Sequence, residues 1–385
     1  MNFKFTATPN IIFGVNRIKL LPDLVKGFGN KALVVTGKSS FINSFNAIEL
    51  FNDLEAYRID NQIIQIEGEP APEQIDQIVA EFSGWKPDVI IAIGGGSIID
   101  SGKAISAMLC EEGSIIDLLE GIGTRLPSGR KLPLIAVPTT AGTGSEATKN
   151  AVITKAGKNG FKKSLRHDNY IPDIALIDPQ LTVSCPSSIT AASGMDAFTQ
   201  LLESFVSVNS SPITDTLALE GMKLILQSLE DATEKGDNIK AREEMSYAAL
   251  LSGITLANAG LGIVHGFAQP LGSFFSVPHG VVCGTLMSAA NHLTVRRLRE
   301  NNDVRTLNKY FQVASLITEG KDRAKSIDHF LNKLDHLTQK FKLPLLSTFG
   351  ISKDDFPLIL LNTGMKYHPV DLSSEDLKWI LKERL

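Results

Sequence analysis

Cysteine is scarce in this chain: Cys110, Cys185 and Cys283 are the only three among 385 residues. They are odd in number, far apart and form no C-x-x-C pair, so they read as buried or free thiols in a reducing cytoplasm rather than as a disulfide framework. Charge of one sign is lacking too. Lys and Arg number 38 against 42 Asp and Glu, a formal net charge of −4, which leaves no basic footprint for nucleic acid. No window approaches eighteen uninterrupted apolar residues, so no membrane span is expected. The opening MNFKFTATPNIIFG has an early proline and no apolar core of useful length, unlike a signal peptide. What remains is an ordinary soluble composition, 43% apolar and 21% charged, in a chain too long for one simple core. Two domains are the natural expectation.

The order of patterns places them. Strand-like β-branched runs at 31–36, 62–66, 88–93, 134–137 and 175–177 alternate with helical patterns at 45–54, 73–82 and 98–109. Continuous apolar strands between helices predict an α/β domain with a parallel sheet covered on both faces. Beyond Asp178-Pro179 the segments 191–206, 213–234, 241–259 and 321–342 have helical period and few strand signals. The turn-rich stretch VSCPSS at 183–188 divides the two, giving an expected α/β domain over 1–185 and an all-α domain over 186–385. There is no internal repeat and no low-complexity tract.

Two turns in the first half suit phosphate. The strand at 88–93 runs into Gly94-Gly95-Gly96-Ser97 and then a helix. Glycines there let the backbone approach a pyrophosphate, and the helix N-terminus offers unpaired N–H groups and a positive dipole end. The order is not G-x-G-x-x-G, so the standard dinucleotide fingerprint does not apply. A second turn, Pro138 to Glu146 (PTTAGTGSE), also follows a strand and bunches hydroxyls with glycines. A tight turn without ligand is the plain reading of either alone; the pair points to a nucleotide.

In the second half, GMDAFTQLLES places Asp196 at the start of a helix with Gln200 and Glu203 on its face. His265 and His279 lie in the glycine-rich stretch SGITLANAGLGIVHGFAQPLGSFFSVPHG. A carboxylate on one helix and imidazoles on another can build one metal site, with Asp196 as a helix cap and two satisfied cleft histidines as the plainer alternative.

In order and spacing, GGGSIIDSGKA, PTTAGTGSEAT, IPDIALIDPQLT, ASGMDAF and VPHG resemble the iron-dependent (group III) alcohol dehydrogenases, of the dehydroquinate synthase-like superfamily. The resemblance spans nearly the whole chain and weakens after about residue 300. It implies a nucleotide-binding α/β domain, a helical domain and an active site in the cleft between them. By position, Gly95, Gly96 and Ser97 resemble the pyrophosphate contacts, and Thr139, Thr140 and Thr143 the residues lining nicotinamide and phosphate. Asn150 and Lys162 match further cofactor contacts, with Lys163 as the adjacent alternative. Asp100 matches a signature aspartate of cofactor or structural role. The implied metal ligands are Asp196, Gln200, His265 and His279, for iron or zinc. Catalysis would rest on His265, His279 and Gln269.

The chain departs from the family pattern at three places. Gln200 and Gln269 stand where members usually carry histidines, so two imidazoles are replaced by amides. An amide oxygen is a weaker, harder ligand, and Gln269 does not titrate and so cannot relay a proton. That proton would leave through water, a ribose hydroxyl or another group; His167 and Tyr170 read as ordinary surface or loop residues. Where many relatives carry an aspartate against a 2′-phosphate, this chain has Gly37 and Lys38, followed by Ser39 and Ser40, which favours NADP or tolerance of both NADP and NAD.

The reading that follows is a cytoplasmic, metal-dependent NAD(P)-linked alcohol dehydrogenase or aldehyde reductase. It would move hydride between nicotinamide C4 and a polar primary alcohol or aldehyde. The alternatives are a metal-independent carbonyl reductase of the maleylacetate reductase kind, a cyclising lyase, and a non-catalytic nucleotide-binding paralogue. The stretch around His265 lacks the basic residues a phosphorylated lyase substrate would need. The partners expected are a small-molecule substrate and, with IIFGV as a candidate interface, a second copy in a homodimer or larger homo-oligomer, with no nucleic acid and no membrane.

Overall fold

Apolar β-branched runs with no helical period extend, and in the computed structural model, which describes residues 2–38, 41–157 and 160–385, they form one twisted sheet. The order along the first half is β1 (Asn10–Phe13), α1 (Leu21–Lys26), β2 (Lys31–Gly37), α2 (Phe45–Ala56), β3 (Asp60–Ile66), α3 (Pro72–Phe82), β4 (Val89–Gly94), α4 (Gly96–Met108), β5 (Leu134–Pro138), β6 (Asn150–Lys155), β7 (Phe161–Arg166) and β8 (Ile174–Ile177). The six-stranded sheet runs β1-β8-β5-β4-β2-β3, and each of its pairings is parallel.

Because side chains alternate along a strand, β2 and β4 feed two cores. Leu33, Val35, Ile90 and Ala92 pack with α3 and α4 on one face. Ala32, Val34, Val89, Ile91 and Ile93 pack with α1 and α2 on the other. Each large aliphatic chain buried this way contributes roughly 1.5–3 kcal/mol. Helix α4 lies unusually near the sheet: a Cβ at Gly102 would sit 2.6 Å from the Ala92 Cβ.

Two features of the sheet half go beyond the sequence expectation. β1 is a four-residue edge strand, too short for its apolar pattern to declare itself. β6 and β7 form a separate antiparallel hairpin, half exposed and lysine-rich.

The rest of the chain is helical: α5 (Ser187–Val206), α6 (Pro212–Glu234), α7 (Ile239–Ala259), α8 (Ile263–Phe275), α9 (His279–Glu300), α10 (Val304–Ala314), α11 (Arg323–Lys340), α12 (Phe356–Leu361) and α13 (Ser374–Lys382). They enclose one core that includes Phe198, Phe205, Phe267 and Phe330. Two expectations are corrected. Asp196 lies inside a helix rather than at its start, because α5 already begins directly after Pro186, so its carboxylate is no cap. The histidines also sit on two helices, not one, since Ser276 in left-handed geometry and Pro278 break the chain between them. Among the described residues, no single helix is long and apolar enough to cross a membrane.

The halves meet backbone to backbone. Gly144, at φ 60°, presents its carbonyl to Gly253 of α7, where a Cβ would come within 2.1 Å of that oxygen. Beside it, Ser252 Oγ lies 3.2 Å from the Gly142 carbonyl oxygen. The second glycine turn is thereby docked onto the helical half, and a cleft opens beside the joint.

Candidate active site

Three helices converge at the cleft, each for a local reason. The α7–α8 junction turns by 100° at Gly260, which has φ 71° and a position where a Cβ would strike the Tyr367 ring at 2.3 Å. That turn aims His265 back toward α5. Helix α9 starts at His279 itself, after Pro278, and Gly280 lets it approach the Ala192 carbonyl, 2.9 Å from where a Cβ would lie.

The result is a cluster in which one donor atom each from Asp196, His265, His279 and Cys283 lies within 4.8 Å of all the others. Asp196 Oδ1 is 3.3 Å from His265 Nε2 and 3.6 Å from His279 Nε2. A carboxylate oxygen and two imidazole nitrogens converging on one point fit a divalent transition metal, which the resemblance led us to expect. Behind them, Glu203 Oε2 lies 2.7 Å from His265 Nδ1, and its Oε1 accepts from the Val264 N–H at 2.7 Å. This carboxylate–imidazole contact fixes the ring and turns Nε2 toward the cluster.

Charge follows from these contacts. Burial works against ionised Asp196, but His279 and His265 hold its carboxyl below the usual range. Burial likewise opposes ionised Glu203, and His265 outweighs it. His265 is pressed down by burial yet held well above the usual histidine value by Cys283, Asp196 and Glu203. Burial pushes His279 down to about 4, with Asp196 opposing and Lys162 and His265 adding to the fall. Burial and Asp196 push the Cys283 thiol up to about 12.

The register of the sheet sets the nucleotide side. Gly94 of β4 pairs with Pro138 of β5, and the Thr139 N–H donates to the Gly94 carbonyl at 3.0 Å, so the two glycine turns lie side by side at the carboxyl ends of their strands. That edge flanks the point between β2 and β4 where the strand order reverses, the place where open α/β sheets bind ligands.

A cleft of about 310 Å³ runs from Gly96, Ser97 and Thr143 past Asn150 and Lys162 to Gln200, Gln269, His265 and His279. A smaller cavity of about 120 Å³ on the other side of the turn is lined by Gly95, Thr139 and Thr140. Thus the residues singled out at the two turns and the hairpin, with Gln200, Gln269, His265 and His279 of the helices, line two neighbouring cavities, while Asp196 is buried outside their lining.

Other residues resolve more finely. Asp100 also lines the cleft, but its carboxylate is taken by protein partners: Oδ2 accepts from the Val152 N–H at 3.0 Å, and Oδ1 receives Lys103 Nζ at 3.3 Å and the Ser145 hydroxyl. Lys103 also donates to Thr148 Oγ1 at 2.8 Å and to the Asn150 carbonyl at 2.9 Å, stapling α4, the second turn and β6 together. On β7 the alternate residues Lys162, Ser164 and Arg166 line the cleft, so the strand's period of two selects Lys162 over Lys163. Gln200 Oε1 accepts from Ser252 Oγ at 2.9 Å. Lys38, at the end of β2, pairs with Glu67; Gly37 ends the same strand, and Ser39 and Ser40 lie outside the described residues. His167 and Tyr170 lie away from the cleft. Tyr170, read as a surface or loop residue, is instead 2% exposed in the core beside β6 and β7, because the turn after β7 folds inward.

The sequence reading did not single out Glu69 in the cleft or Cys283 in the cluster. Glu69, in the loop after β3, bonds Lys162 Nζ at 2.5 Å, a contact no local pattern announces. Cys283 follows His279 by one helical turn in HGVVC, an i, i+4 pair that the sequence does display.

This architecture, a glycine-turn nucleotide cleft closed by a helical metal cluster, is matched among known proteins. Residues 8–179 match the family described as iron-containing alcohol dehydrogenase, and residues 190–384 match the Fe-containing alcohol dehydrogenase family, C-terminal. The chain is 32% identical over 357 residues to 1,3-propanediol dehydrogenase of Citrobacter freundii, covering 91% of this chain and 89% of that one. It is 29% identical over 392 residues to NAD-dependent methanol dehydrogenase of Bacillus methanolicus, covering 99% of each. A crystal structure of 1,3-propanediol oxidoreductase superposes over 100% of both chains with a TM-score of 0.88 at 28% identity. The chain belongs to the iron-containing alcohol dehydrogenases, metal-dependent enzymes that act on CH–OH groups with NAD(P).

Proposed function

We propose that this enzyme interconverts a small polar primary alcohol and its aldehyde, with Asp196, His265 and His279 as the metal-holding set. The observation that carries the reading is the convergence of Asp196 Oδ1 with the two Nε2 atoms, at 3.3 and 3.6 Å, at the inner end of a cleft whose outer end is the Gly96–Ser97 turn. When bound, the metal supplies a Lewis acid for the substrate oxygen and the nicotinamide supplies hydride exchange at C4.

The chain's own residues do the rest. Gly95, Gly96 and Ser97, with the N-terminus of α4, would seat the pyrophosphate, and Thr139, Thr140, Thr143, Asn150 and Lys162 would align the remainder. Gln269 hydrogen-bonds but carries no proton away, so the alcohol proton leaves through water or a ribose hydroxyl. Gln200, Gln269 and the Lys162–Glu69 pair set polar groups against the apolar Leu256, Leu261 and Ala268, which supports a short alcohol bearing a second polar group. The relatives named for 1,3-propanediol support the same class. Lys38 reaches a 2′-phosphate only by leaving Glu67, so we infer that NAD and NADP are both accepted. We further infer a division into domains 1–185 and 186–385. Free Cys110, Cys185 and Cys283 support a cytoplasmic setting, and the β1 sheet edge supports a homo-oligomer.

The test is elemental analysis of untagged protein followed by NADPH oxidation with a panel of aldehydes. Near-stoichiometric metal, lost together with activity on chelation, is expected. Metal-free protein that still reduces carbonyls would transfer the reading to hydrogen-bond catalysis.

A further inference from the structure

The cluster contains a donor that the family resemblance does not assign. Cys283 is fully buried, which for a thiol is ordinary; its neighbours are not. Besides its place in the apolar core of the helical half, its Sγ faces His265 Nε2 at 3.5 Å and His279 Nε2 at 3.8 Å. These are the same two nitrogens that face Asp196 Oδ1 at 3.3 and 3.6 Å.

The distances have a common explanation. A tetrahedral ion with nitrogen and oxygen ligands at about 2.05 Å and sulfur at about 2.3 Å has N–O edges of about 3.4 Å and N–S edges of about 3.6 Å. The N–O and N–S separations here fall within a few tenths of an ångström of those edges, and all four atoms lie within 4.8 Å of one another.

We propose that Cys283 is the fourth protein ligand of the metal, taking the place of the imidazole that the family carries at position 200. Gln200 lines the cleft, but its Oε1 is engaged by Ser252 of α7 at 2.9 Å. The chain has lost a donor on α5 and gained one on α9, one turn beyond His279. As the sulfur–metal bond forms, the thiol gives its proton to solvent and binds as thiolate. Cys283 does not line the cleft, whereas His265 and His279 do, so it would bind from the protein side and leave the cleft side to substrate. A thiolate is a soft ligand, and it shifts this site's preference from iron toward zinc.

The proposal rests on the metal reading above, and one experiment separates the two. Metal-stripped enzyme is titrated with cobalt(II), as wild type and as Cys283→Ser and Cys283→Ala, with nucleotide binding as the check on folding. Visible cobalt bands report ligation by Asp196, His265 and His279; a near-ultraviolet thiolate-to-cobalt band reports sulfur. The wild type is expected to show both. The Cys283 variants should keep the visible bands, lose the near-ultraviolet one and bind cobalt on the order of a hundredfold more weakly. Visible bands without the thiolate band in wild type would overturn the role of Cys283 and leave the metal reading intact. A thiolate band that survives Cys283→Ala would overturn it equally, by assigning the sulfur to Cys110 or Cys185. No cobalt absorption at all would remove both.

Discussion

The sheet half and the helical half meet at one cleft, and they furnish it by opposite means. On the sheet side the two glycine turns bring Gly96, Ser97, Thr143 and Ser145 to the cleft beside the β6–β7 hairpin, and in those turns backbone and small side chains do the work. A Cβ at Gly96 would lie 2.6 Å from Thr143 Oγ1, so what matters there is the absence of a side chain. On the helical side His265 and His279 line the cleft and cluster with Asp196 and Cys283, four residues spread over three helices, and what matters is which atoms the side chains end in. A site built from backbone tolerates changes of chemistry better than changes of volume. A site built from donor atoms does the reverse.

The sharpest test of that contrast removes a donor and leaves the turns alone. His279→Ala should lower turnover by on the order of a thousandfold or more, since the Lewis-acid role is worth several kcal/mol. NADPH affinity, measured by fluorescence titration, should change little. If nucleotide affinity collapses while metal is retained, the two sides are not separable and the assignment of His279 is wrong.

The complementary test adds volume to the turn. Gly96→Ala forces Thr143 aside and puts a methyl group where the pyrophosphate would lie. Overpacking of this kind costs roughly 1–3 kcal/mol, or about 5- to 150-fold in nucleotide affinity. Metal content should remain at the wild-type level. Loss of metal from this variant would break the comparison, because the turn would then be supporting the cluster through the Gly144–Gly253 joint.

The same contrast explains what could be read in the sequence. Local patterns carried the sheet half: β2, β4 and β5 are continuous apolar runs, and the glycine turns follow them directly. β1 and the β6–β7 hairpin were hidden because short or half-exposed strands bury too little to leave a pattern. On the helical side, Asp196, His265 and His279 were legible as a carboxylate and two imidazoles able to build one metal site, and the family's motifs then pointed to the same three residues. Their convergence depends on the turn at Gly260 and the break at Ser276–Pro278, and neither fixes a direction until the helices pack. Cys283 was visible as the fourth residue after His279, yet it read as an ordinary buried thiol, because its partners come from helices distant in sequence. Asp100 shows the converse: a signature residue whose carboxylate is taken up by Val152, Lys103 and Ser145.

The smallest effect concerns how each side treats a buried carboxyl. Glu146, Asp196 and Glu203 are 3%, 1% and 5% exposed. On the helical side, imidazoles in contact keep Asp196 and Glu203 ionised. Glu146, in the second glycine turn, has no such contact: burial raises its carboxyl to about 7, with its own backbone N–H and Lys103 opposing. A folded-state value above the ordinary 4.5 means that the protonated form contributes stability in full below 4.5 and loses it as pH rises through about 7. Glu146→Gln keeps the neutral shape at every pH. Its stability relative to wild type should be level in acid, climb between pH 4.5 and 7, and stay level above, a gain of about 3 kcal/mol read from denaturant midpoints across a pH series. A gap that does not change with pH would mean that Glu146 is ionised in the fold after all, and that both halves hold their buried carboxylates by pairing.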